Sequence, residues 1–138
     1  MPTQFTFEYA LFVFIGALGA LQLVFAGNGM RGALFISRSL PASVLLGGLL
    51  VLGTFVWFFA SAPRNLPDTG LGLDGNDQTR WFTVAGATAL ALTLLVTSAL
   101  NDRWARTYRG GRRGLDALEQ TTFLRAVAHT LSRVRKRS

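Results

Sequence analysis

Charged side chains leave three long gaps along the chain. Residues 9–30, 39–63 and 81–101 carry no Asp, Glu, Lys or Arg, and each stretch is rich in Leu, Val, Phe, Ala and Gly. A helix crosses the hydrocarbon core with roughly 20 apolar residues, so each gap is long enough to span. The pattern predicts helices at about 8–27, 40–61 and 81–101. The runs do not alternate apolar with polar, as strands of a membrane barrel must. They also lack the polar face that each helix of a soluble bundle keeps. The predicted fold class is an all-α membrane protein with three transmembrane helices, followed by a C-terminal amphipathic basic helix.

Composition supports this reading. Half of the 138 residues are hydrophobic and 15% are charged, against about 25% in soluble domains. There is no cysteine, which excludes a disulfide-stapled module and any thiolate-ligated metal or heme site. Residues 1–8 hold Glu8 and no basic residue, unlike the basic start of a cleaved signal peptide. The first span is therefore expected to stay in the mature protein.

The net charge of +7 is unevenly placed. Residues 1–101 balance Arg31, Arg38, Arg64 and Arg80 against Glu8, Asp68, Asp74 and Asp77. The segment 102–138 sets ten basic residues against Asp102, Asp116 and Glu119. Basic residues collect on the cytoplasmic side of a membrane. The first loop carries Arg31 and Arg38 without an acid, and the tail is strongly basic. The expected topology is N-terminus outside, residues 62–80 as an outer loop, and the tail in the cytoplasm, at the inner (cytoplasmic) membrane. Tyr9, Trp57 and Trp81 would mark the outer interface, Trp104 and Tyr108 the inner one.

Inside lipid, helices associate through small residues and polar contacts. Candidate packing pairs are Gly16 with Ala20, Ser43 with Gly47, and Ala85 with Ala89, with Gly19 beside the first pair. Gln22 is the one strongly polar side chain near a span centre and is expected to make an interhelical hydrogen bond. No ionisable residue lies inside a span, which argues against a proton relay or monomeric transport.

After the third span, glycines at 110, 111 and 114 predict a hinge over 110–114. Asp116 followed by Glu119 has the spacing of a capping box, and an amphipathic helix is expected over about 116–136. Phe123, Leu124, Val127, Ala128, Leu131 and Val134 share one arc, and Arg125, His129, Arg133, Lys136 and Arg137 the other. Such a helix suits the headgroup layer of an anionic leaflet, with Arg112, Arg113, Arg125, Arg133, Arg135, Lys136 and Arg137 as candidate lipid contacts. Nucleic acid is an unlikely partner, because stacking aromatics are not interleaved with the basic residues. His129 has no second ligand at helical spacing and reads as a solvated residue.

Gly27-Asn28-Gly29-Met30-Arg31-Gly32 spells G-x-G-x-x-G. It follows a run of membrane length, and no acid follows at the spacing a dinucleotide fold requires, so it reads as a turn leaving the first helix. The outer loop is the most distinctive stretch, with Arg64, Asn65, Pro67, Asp68, Asp74, Asn76, Asp77 and Arg80 as a candidate recognition surface. Residues 66–70, Leu-Pro-Asp-Thr-Gly, resemble the L-P-x-T-G signal that sortases cleave between Thr and Gly. As in that family, an apolar span and a basic tail follow. The resemblance covers 66–138 and implies a sortase-processed surface protein, although residues 71–80 intervene before the span and cleavage would release a two-span fragment. Asp74-Gly75-Asn76-Asp77 resembles one unit of the glycine/aspartate calcium repeats. A single unit supplies too few oxygens for calcium, and turn chemistry accounts for it.

No nucleophile–base pair, carboxylate pair or metal constellation stands out, and no cofactor is expected. The leading expectation is a non-catalytic accessory or assembly subunit of a larger membrane complex, with a membrane-protein partner or a homo-oligomer. The alternative is a homo-oligomeric pore lined by threonines 83, 93 and 97, with 88 nearby. The sortase-processed surface protein comes third.

Overall fold

The computed structural model describes residues 4–61, 75–105 (Trp104 by its backbone only) and 114–135. The described chain is helical, with α1 at Gln4–Gly27, α2 at Leu40–Ala60, α3 at Gly75–Leu100, α4 at Asp102–Ala105 and α5 at Phe123–Arg135. Short 3-10 turns lie at Arg31–Ala33 and Gly114–Glu119. Three helices, α1, α2 and α3, are long and apolar enough to cross a membrane.

Two of these helices start earlier than the sequence pattern predicts. α1 begins at Gln4 and α3 at Gly75. The helical hydrogen bonds extend beyond the apolar run, because polar residues with free solvent access continue a helix as readily as apolar ones do. Thr79 donates its hydroxyl to the Gly75 carbonyl at 2.9 Å, inside these added turns. Residues 75–80 thus belong to α3 rather than to a loop over 62–80, and the described residues leave out 62–74.

α1 is the central element, packing along α2 on one side and α3 on the other. Gly19 of α1 and Gly47 of α2 make the first contact. A Cβ at either position would come within 2.8 Å of the other's carbonyl oxygen, so only hydrogen fits at this crossing. Gly16 lies nearby, facing the Thr54 methyl. Ala20, predicted as the partner of Gly16 in packing, is exposed. At 100° per residue, position 20 lies about 40° beyond Gly16 and about 100° from Gly19, on the flank away from the glycine crossing. Ser43 and Gly47 are both buried, as are Ala85 and Ala89. The last two continue through Thr93 and Thr97 into one buried stripe of small residues on α3. At the opposite end of the α1–α2 pair, aromatic rings take over. Phe12 stacks on Phe58 with centroids 4.4 Å apart and meets Phe55 edge-on at 5.0 Å.

Candidate functional site

Thr6 and Thr54 are buried along the α1–α2 pair, and most of the other buried polar side chains among the described residues gather at one end of the bundle. There the connection between α1 and α2 meets the end of α3 and the segment 114–135. The connection is built by turn chemistry. Gly29 adopts φ +68°, its N–H bonds the Ala26 carbonyl at 3.1 Å, and the Met30 N–H bonds Phe25 at 2.9 Å. This double closure with a left-handed glycine ends an α-helix and satisfies its last carbonyls. Ser39 then caps α2, accepting the Ala42 N–H at 3.3 Å, with proline in the first turn, where its missing N–H costs nothing.

Between these ends the connection folds inward. Ala33 and Leu34 are fully buried and join Phe25, Ala26 and Leu118 in a small apolar core. Backbone groups in such a place require partners, and side chains of the spans supply them. Gln22 Oε1 accepts the Phe35 N–H at 2.9 Å. Ser43 donates to the Ile36 carbonyl at 2.9 Å. Asn101, at the end of α3, donates through Nδ2 to the Leu34 carbonyl at 2.8 Å and accepts the Ser37 hydroxyl at 2.7 Å. Gln22 was expected to bond another helix. It is instead fully buried and holds the connection through the Phe35 N–H. Its Nε2 is buried without a hydrogen-bond partner.

The C-terminal segment closes over this assembly. Gly32 has no room for a side chain, since a Cβ there would lie 1.8 Å from the Thr121 carbonyl oxygen. Gly29 and Gly32 of the G-x-G-x-x-G run thus serve a helix end and a chain crossing. α5 starts at Phe123, later than position 116, because Asp116 and Glu119 lie in the 3-10 turn. The Leu124 N–H in its first turn bonds Ser98 Oγ of α3 at 3.2 Å. That contact does for α5 what a local capping residue does elsewhere. Arg125 directs Nε and Nη2 at Asp102 Oδ1, each at 2.8 Å. A shallow open groove between α4 and α5 is lined by Ala105, Arg125, Ala128, His129 and Ser132.

The other candidate residues do not form one site. Arg64, Asn65, Pro67, Asp68 and Asp74 lie outside the described residues, as does the whole 66–70 motif. Asn76, Asp77 and Arg80 are exposed on the first two turns of α3. Arg112, Arg113, Lys136 and Arg137 also lie outside. Of the remaining basic candidates, Arg125 is engaged by Asp102, while Arg133 and Arg135 are exposed. The threonines of α3 do not share one environment. Thr93 and Thr97 are buried, whereas Thr83 and Thr88 are exposed and donate to the Thr79 and Val84 carbonyls. Among the described residues, no three of His, Asp and Glu gather as metal ligands would.

No family model, no curated protein and no solved structure matches this chain. The sequence reading did not single out Ser37, Ser98 or Asn101. Polar residues at the ends of apolar spans are unremarkable one at a time, and only the fold joins residues 34–37 to 98–101.

Proposed function

We propose that this chain is a non-catalytic accessory or assembly subunit of a larger membrane complex, docking against partner helices. One observation carries the reading. The glycine contact that joins α1 to α2 has counterparts with no such neighbour among the described residues. A Cβ at Gly48 or Gly53, which flank the α1 contact on α2, or at Gly86 on α3, would meet nothing within 4 Å. Such notches let a second backbone approach closely, and this is how helices associate in lipid. The polar side chains at the bundle end support the same role. Gln22, Ser37, Ser43 and Asn101 are spent on holding the connection and so serve the fold rather than a reaction.

In this reading the chain sits in the inner membrane with its basic tail in the cytoplasm, as the distribution of arginines favours. The polar stretch 63–80 contacts an external portion of the complex. A homo-oligomeric pore is less well supported, because Thr93 and Thr97 are turned into the chain. The test is gentle detergent purification of the tagged full chain and of a Gly48→Leu/Gly53→Leu variant. Stoichiometric larger subunits should accompany the parent chain and be lost with the variant, while the variant itself remains folded. A particle containing this chain alone in both cases would overturn the proposal.

A further inference from the structure

α5 is not a span. Its 13 residues reach about 20 Å at 1.5 Å per residue, well short of the hydrocarbon core. It nevertheless exposes large apolar side chains: Leu124 is 48% exposed, Val127 38%, Leu131 64% and Val134 60%. At 100° per residue these four fall within an arc of about 80°.

The other side of α5 has a defined neighbour. Arg125, Ala128, His129 and Ser132 line the groove that α5 forms with Ala105 of α4. α4 continues the line of α3, since the Asn101 N–H bonds Thr97 and the Ala105 N–H bonds Asn101. A face of α5 that looks toward α4 therefore looks away from the bundle. The apolar stripe is centred about 130° round the helix from that face, so α4 leaves it uncovered. The start of α5 is pinned by Ser98, by Asp102, and by Phe123 packed against the apolar core.

We propose that α5 lies along the membrane surface, with Leu124, Val127, Leu131 and Val134 in the boundary between headgroups and acyl chains of an anionic phospholipid leaflet. Two features choose this occupant. The span beside the Ser98 contact is itself apolar on its surface, with Leu95 and Leu100 of α3 54% and 61% exposed. The charge is complementary: Arg103, Arg133 and Arg135 are exposed, and α5 carries no acid. A protein partner is less well matched, as four side chains supply only a fraction of the roughly 800 Å² per partner in a stable interface. The inference does not depend on the accessory-subunit reading, since it concerns lipid contact by a single chain.

The absence of cysteine makes the test clean. Leu131→Cys and Ser132→Cys are each labelled with an environment-sensitive fluorophore in the full chain. Each variant is reconstituted into vesicles of phosphatidylcholine alone or of phosphatidylcholine with phosphatidylglycerol. In the anionic vesicles, acrylamide should quench the probe at 131 roughly tenfold less than the probe at 132. The protection should weaken in neutral vesicles. Equal quenching at both positions in anionic vesicles would overturn the proposal. So would protection of 131 that disappears when protein is diluted in lipid, which would assign the stripe to a second copy. Equal protection in both vesicle types would remove the anionic headgroup from the assignment.

Discussion

At Gly32 the fold accepts hydrogen and nothing larger. The Thr121 carbonyl oxygen occupies the place of a Cβ, and backbone on both sides cannot yield as a flexible side chain would. Gly32→Ala should therefore lift the segment 114–135 from the α1–α2 connection, at a cost of about 3 kcal/mol or more. Limited proteolysis should cut the variant sooner in that segment. Gly48→Ala is the matched control: its Cβ enters open space, so stability should change by no more than about 1 kcal/mol. At Gln22 the prediction has two opposing parts. Gln22→Leu strands the part-buried Phe35 N–H, costing up to about 1–3 kcal/mol, while also removing an Nε2 that has no partner of its own. A net loss smaller than that for Asn101→Ala is expected in thermal unfolding in detergent, because Asn101 holds both the Leu34 carbonyl and the Ser37 hydroxyl. The G-x-G-x-x-G run marks Gly32 only as part of a turn, and nothing nearby marks Asn101; each matters because of a group far away along the chain.

Helices α1, α2 and α3 were readable as elements because lipid imposes a length and an uninterrupted apolar composition. Their starts were less readable: a run of apolar residues marks where hydrocarbon can be, not where the helix begins. α5 shows the converse. A 3.6-residue periodicity of apolar positions was visible, yet the start depends on Ser98, a residue of another helix. The contacts that seat α5 differ in weight. The Arg125–Asp102 pair has side chains 37% and 42% exposed, and water screens such a pair to no more than about 1 kcal/mol. Asp102→Ala should thus lower the melting temperature less than Asn101→Ala, its buried neighbour. If the two losses are equal, the ion pair is better shielded than its exposure implies.

For the molecule as a whole, the connection between α1 and α2 and the C-terminal segment are one structural body at the same end of the bundle. In the proposed topology that end lies in the cytoplasm, where basic residues collect. A fluorescent-protein fusion after Ser138 should fluoresce and a phosphatase fusion there should be inactive; the opposite pair of results would invert the topology. Replacing Arg31 and Arg38 with Gln in the same fusion should weaken this bias only partly, since ten basic residues remain in 102–138.

Sequence by itself determined that the chain is helical and has three segments able to cross a membrane. The hydrocarbon core acts on every residue of a span alike, so its demand is written locally as length and composition. Tertiary structure alone decided which faces meet: Gly19 on Gly47 with Ala20 outside the contact, Thr93 and Thr97 inside but Thr83 and Thr88 outside. It also decided that Gln22, Ser37, Ser98 and Asn101 work as one group at the end of the bundle. Those choices rest on hydrogen bonds and close approaches between residues that sequence separates by up to 89 positions, as in Gly32 and Thr121, and no local pattern of apolar and polar residues encodes such a pairing.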